Sequence, residues 1–186
     1  SRHFPLRILK PRDEKTDPDF YLDLSDAEQE LFELLELYSQ KRIEKLDKRT
    51  RTATNFVLKV LKKRALSSMK AIRKSLEVHI NNVGVEEITK ESEALISKRL
   101  RKEDEDFSED KEKTVAEEEA LESTGRVLLR LDSEERKWLQ RMKKIAEQYD
   151  DDFDRAPDSK LKALINWIRD HLQNNGNWND ERLIIF

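Results

Sequence analysis

Seven cations carry the clearest chemical pattern in this chain: Lys59, Lys62, Lys63 and Arg64, then Lys70, Arg73 and Lys74. On a helix, spacings of three and four gather Lys59, Lys62 and Lys63 opposite Val57, Val60 and Leu61, and Lys70, Arg73 and Lys74 repeat the arrangement one element later. Such a ridge can displace counterions from a phosphate backbone without reading bases, which gives salt-sensitive, sequence-tolerant binding. The same cations could instead face water or pair with acids of this chain. No exposed aromatics interleave with them, which argues against a platform for stacking single-stranded bases.

Other chemistries lack their parts. A triphosphate-binding loop needs clustered glycines followed by Lys and Ser or Thr, whereas Gly84, Gly125 and Gly176 stand alone. Asp13-Glu14 and Asp180-Glu181 follow no buried-strand pattern and are not expected to bind magnesium. His3, His79 and His171 lack the i, i+4 pairing that places two imidazoles on one helix face, so structural or surface roles are expected. The acids at 104–106 and 150–154 lack the spaced ligands and central glycine of a calcium loop, and Ser67-Ser68 has no local base. No catalytic, cofactor or metal residue is therefore assigned, and the chain itself is not expected to be an enzyme.

Charge is unevenly distributed behind a net value of −3. Residues 41–80 hold 13 Lys or Arg against Glu44, Asp47 and Glu77, whereas residues 101–123 hold eleven acids against four cations. One region attracts phosphate and the other repels it. With 36% hydrophobic and 41% charged residues, three Gly and four Pro in 186 residues, the core must be thin, and long amphipathic helices are favoured over a sheet rich in turns. No cysteine is present, which excludes disulfides and thiolate zinc sites. No apolar run reaches the roughly 18–20 residues of a membrane span, and the first residues lack a signal-peptide core, so a cytoplasmic protein with no membrane partner is expected.

The elements follow from caps and periodicity. Ser25 with Glu28 forms a capping-box pattern, and Ala27, Leu31, Leu34, Leu35 and Tyr38 continue as an apolar stripe into the mid-forties, leaving Glu28, Glu30, Glu33 and Glu36 toward water. A second pattern starts near Arg51, with Ala53, Phe56, Val57, Val60 and Leu61. It resumes through Met69, Ile72, Leu76 and Ile80 after Ser67-Ser68, where Ser68 suits an N-cap. Residues 81–84, Asn-Asn-Val-Gly, form a stop signal. Residues 86–101 are a weaker helical pattern, and 102–113 read as a mobile, solvated linker. A further helix begins at Asp132 or Ser133 with Glu135 completing a box, and it buries Trp138, Leu139, Met142, Ile145, Ala146 and Tyr149. After Pro157, a helix with a capping Ser turns Leu161, Leu164, Ile165, Ile168 and Leu172 inward, ends at 174–176, and leads to an apolar strand at Leu183–Phe186. The predicted fold is all-α, a multi-helix, bundle-like fragment with a short stray strand at its C-terminal end.

Three segments together resemble the inter-lobe region of microbial Swi/Snf-like ATPases of helicase superfamily two. Residues 23–35 are similar to the acid-rich helix that follows the first motor lobe, and Phe56–His79 to the helical motif between the lobes. Residues 157–186, with the helix from Ser159 and the final Leu-Ile-Ile-Phe, are similar to the opening of the second RecA-like lobe. Met69 departs from the pattern where Pro often begins a helix, which weakens the expected break there. The resemblance implies a division into 1–24, a lead-in from the first lobe; 25–101, a helical region with the basic ridge; 102–131, an acidic mobile linker and weak helix; 132–156, a helix; and 157–186, the entry helix and first strand of the second lobe. It further implies a non-catalytic piece of an ATP-dependent translocase or helicase, linking or bracing the lobes and touching backbone, preferably of double-stranded DNA. ATP and magnesium would then belong to the parent. The alternative expectation is a helical protein–protein interaction module.

Overall fold

A computed structural model describes residues 22–46, 50–85, 110–149, 155–174 and 176–180, with the side chains of 110–114 and 174 outside that description. The lead-in before residue 22, the helical pattern at 86–101, the acids at 102–109 and 150–154, His3, Asp13-Glu14 and the strand at Leu183–Phe186 also lie outside the described residues. Among the described residues six helices follow in order: α1 (Asp26–Glu44), α2 (Arg51–Ser67), α3 (Met69–Asn82), α4 (Asp110–Arg126), α5 (Ser133–Ala146) and α6 (Ser159–Leu172). A minimal hairpin, β1 (Gln173–Asn174) and β2 (Asn177–Trp178), closes the described chain. The architecture is all-α, and no helix among the described residues is long and apolar enough to cross a membrane.

Helix α3 is central and packs against α2, α4 and α5, while α1 lies against α5 and α2. Its inward residues Ile72, Leu76 and His79 are fully buried, together with Leu31 and Tyr38 of α1, Leu61 of α2, Leu121 of α4, and Leu139, Met142 and Ile145 of α5. These residues recur at the three- and four-residue spacing of one helix face, so hydrophobic burial selects the face each helix turns inward.

Local signals fix the ends. Ser25 and Glu28 form the expected box: Glu28 N–H donates to Ser25 Oγ at 3.3 Å, and Ser25 N–H to Glu28 Oε2 at 2.8 Å. At Ser68 the backbone is fully extended (φ −159°, ψ 161°) and its hydroxyl accepts from Ala71 N–H at 3.1 Å, so α2 and α3 are separate helices although Met69 stands in place of Pro. Asp132 caps α5 through Glu134 N–H and Glu135 N–H, and Glu135 returns a bond to Asp132 N–H at 2.8 Å.

Four expectations need correction. Glu28 does not face water: it is 1% exposed, because it serves a second helix as well as its own. Helix α4 begins at Asp110, so the last residues assigned to the linker are helical. That helix buries Glu117, Ala120, Leu121 and Thr124 at helical spacing, a stripe too polar to stand out in the sequence. The cap of α6 is Asp158, whose Oδ1 accepts from Leu161 N–H at 2.9 Å, and not Ser159. Finally, the apolar residues of α6 other than Leu172 are half-buried, and neither they nor Leu172 belong to the core cluster of the described residues.

Gly84 and Gly176 both have positive φ, at 69° and 82°. Gly84 N–H donates to Gly125 O at 3.0 Å, and a Cβ at Gly84 would lie 2.7 Å from the Arg130 Cα; nothing lies within 4 Å of one at Gly176. Gly176→Ala is therefore expected to cost only the left-handed backbone penalty, about 1 kcal/mol. Gly84→Ala adds backbone overlap and is expected to cost about 3 kcal/mol. Chemical denaturation of the two variants checks this, and equal losses would contradict the packing at Gly84.

Candidate nucleic-acid interface

The structure places the seven candidate cations on two consecutive helices, four on α2 and three on α3, and divides them by their partners. Lys59, Lys62, Lys63 and Lys74 are exposed, and Arg64, Lys70 and Arg73 are half-buried. Lys62 Nζ pairs with Glu36 of α1 at 2.8 Å and holds that carboxyl below its ordinary range through the hydrogen bond. Lys63 and Arg64 converge on Glu117 of α4, with Arg64 Nη2 at 2.7 Å from Oε2. Glu117 is almost fully buried, so its charge needs both partners. These three cations thus brace α2 against α1 and α4. Lys59, Arg73 and Lys74 make no ion pair with a described residue, which leaves them as the members whose charge is uncommitted there.

A second polar assembly lies inside the bundle and was not legible in the sequence. Arg42 Nε donates to the Tyr38 hydroxyl at 3.1 Å and lies 3.3 Å from Glu135 Oε1, while Arg42 Nη1 donates to Leu129 O at 2.7 Å. Both charged side chains are buried, at 3% and 0% exposure. The Tyr38 hydroxyl lies 2.6 Å from His79 Nε2. The two groups share this hydrogen bond, whose donor depends on the imidazole tautomer, and His79 Nδ1 is buried with no hydrogen-bond partner among the described residues. Burial first, and the Arg42 charge second, lower the His79 pKa from 6.5 to about 3. Burial likewise pushes the Tyr38 phenol up to about 12. The structural role expected for His79 is therefore specific: it shares a buried hydrogen bond with Tyr38 that ties α3 to α1.

A third cluster joins helix N-termini. Glu28 Oε1 accepts from Ser159 N–H at 2.9 Å, and Glu28 Oε2 accepts from the Ser159 and Ser25 hydroxyls. Asp158 Oδ2 accepts from Met69 N–H at 3.2 Å. Burial raises the Glu28 pKa, but the hydrogen bonds from Ser159 and Ser25 more than reverse this and bring it below the ordinary value.

The glycines do not form a phosphate cradle: Gly84 turns against Arg130, Gly125 lies in α4 beside His79, and Gly176 turns the hairpin. Among the described residues no group of three or more His, Cys, Asp or Glu side chains could hold a metal ion. No family model, no curated protein and no solved structure matches this chain.

The His79 environment predicts a pH dependence. Between about 3 and 6.5 the unfolded chain takes up a proton that the folded imidazole refuses, so stability is complete above 6.5 and falls as pH is lowered through this window. The slope approaches about 1.4 kcal/mol per pH unit. Thermal denaturation from pH 7 to 5, above the carboxylate range, is expected to show this fall in the wild type and a flat profile in His79→Gln.

Proposed function

We propose that this chain is a non-catalytic helical region of a Swi/Snf-like, ATP-dependent DNA translocase or helicase, where it braces the two motor lobes and touches the duplex backbone. The observation that supports this reading best is the attachment of α6. Its first turn is bonded to α1 and α3, while its stripe of Leu161, Leu164, Ile165 and Ile168 stays outside the bundle core. A helix built this way suits the entrance to a further body that covers the stripe, as the resemblance at residues 157–186 implies for the second lobe. The bundle would then act as a rigid brace whose geometry is set by α3 and its buried polar bonds. ATP and magnesium would act in the flanking lobes.

In the same reading the backbone contact comes from Lys59, Arg73 and Lys74, with Lys70 beside them. Lys62, Lys63 and Arg64 add to the local potential while holding α1 and α4. The motor context is tested by the source reading frame. It should carry a Gly-x-Gly-Lys-Thr-type loop and an Asp-Glu box before this region and an Arg-bearing motif after it; a frame with neither would favour a helical interaction module.

The backbone contact is tested by titrating duplex DNA of several sequences over a range of salt concentrations. The combined Lys59→Glu, Arg73→Glu and Lys74→Glu variant is expected to bind more weakly to all sequences. Its log–log salt slope should be smaller by roughly one unit per lost phosphate contact. An unchanged slope would reject the ridge as a DNA surface.

A further inference from the structure

Lys62 and Lys63 are neighbours on α2 with similarly exposed side chains, 45% and 52%, and each pairs with a glutamate from another helix. The two glutamates differ. Glu36 of α1 is 53% exposed, whereas Glu117 of α4 is 2% exposed and is shared with Arg64, whose Nη2 lies at 2.7 Å. An ion pair open to water on both sides is weak and screened, so another anion replaces its acid easily. A pair whose acid is buried behaves otherwise, because a cation that leaves strands a carboxylate where water cannot hydrate it. Of the glutamates at 117, 118, 119 and 122 in α4, only Glu117 is buried.

We infer that Glu117 is a built-in competitor for phosphate: by holding Lys63 and Arg64, it limits how many backbone phosphates of a DNA duplex the basic ridge can take. The inference deepens the backbone contact proposed above and rests on that reading. Lys63 meets an approaching phosphate in one of two ways, both unfavourable. If it stays on Glu117, the phosphate comes to rest beside a carboxylate, and the like charges repel. If it turns outward, the buried carboxylate keeps only Arg64. Two cations against one carboxylate leave a single positive charge, so the group adds to the long-range potential while offering little at contact distance. Glu117 belongs to the segment 101–123, where eleven acids oppose four cations, so the acidic and basic stretches of the sequence meet at this point. The footprint left for direct contact is Lys59, Arg73 and Lys74, with Lys62 recruited at small cost from its exposed pair.

Salt titration of duplex DNA binding by the whole chain reads the number of phosphate contacts, since each contributes roughly 0.9 to the slope of log affinity against log salt. Glu117→Gln keeps the shape of the side chain and removes its charge. Lys63 is exposed, so Lys63→Ala removes an amine without opening the core, and Lys62→Ala is its comparison. Helix content and thermal denaturation of each variant establish that the bundle is retained.

The slope is expected to stay unchanged in Lys63→Ala, to fall in Lys62→Ala, and to steepen by roughly 0.9 in Glu117→Gln as Lys63 is released. Adding Lys63→Ala to Glu117→Gln should remove that gain. A loss of slope in Lys63→Ala alone would overturn the inference, as would a folded Glu117→Gln variant whose slope matches that of the unaltered chain. Should Glu117→Gln fail to fold, equal slopes in Lys62→Ala and Lys63→Ala overturn the inference, and a loss confined to Lys62→Ala supports it. The combined Lys59→Glu, Arg73→Glu and Lys74→Glu variant separates the competitor from the reading it rests on. A slope indifferent to those three changes rejects the ridge contact whatever Glu117→Gln does, and a slope that falls with them but ignores Glu117→Gln rejects only the competitor.

Discussion

Arg42 is almost wholly removed from water in a chain whose apolar content is low, and its guanidinium must find partners where solvent cannot supply them. It finds them on three sides: the Tyr38 hydroxyl one turn earlier, the Glu135 carboxylate of α5, and the Leu129 carbonyl in the connection before α5. Breaking a buried pair of this kind leaves an uncompensated charge and costs about 3–5 kcal/mol. The arrangement of α1 against α5 is thereby restricted to the one register in which Arg42 meets Glu135. Leucine and valine packing alone would tolerate neighbouring registers more easily.

The consequences spread through bonds that each do two jobs. Glu135 completes the cap of α5 and also receives Arg42 and Lys45. Tyr38 accepts from Arg42 and passes the connection to His79 in the central helix. Glu28 caps α1 and holds α6. In a thin core, carboxylates placed at helix starts are stabilised by helix dipoles as well as by hydrogen bonds, which makes their burial tolerable. Polar contacts thus link the helices of the bundle, and hydrophobic burial supplies the driving force around them.

The charge asymmetry of the sequence has a structural counterpart. Part of the basic region is neutralised internally by Glu36 and Glu117, the second of which lies in the acidic segment. Lys62, Lys63 and Arg64 are consequently committed to bracing α2 against α1 and α4, whereas Lys59, Arg73 and Lys74 make no ion pair with a described residue.

What the sequence alone determined was local. The capping boxes at Ser25 and Asp132, the break at Ser68, the turn at Gly84 and the inward stripes of α1, α2, α3 and α5 depend on residues three or four apart, and such neighbours meet in any chain that forms a helix. The seven cations were visible for the same reason. Which acids would be drawn inside was not visible, because Glu28, Glu117 and Glu135 look like their solvated neighbours until partners distant in sequence arrive: Ser159, Arg64 and Arg42. The burial of His79, the anchoring of α4 and the bonds from the start of α6 to α1 and α3 belong to the same class. Only the tertiary structure decided them, since a buried charge or imidazole is stable solely where the assembled fold brings a partner to it, and no periodicity records where that partner will come from.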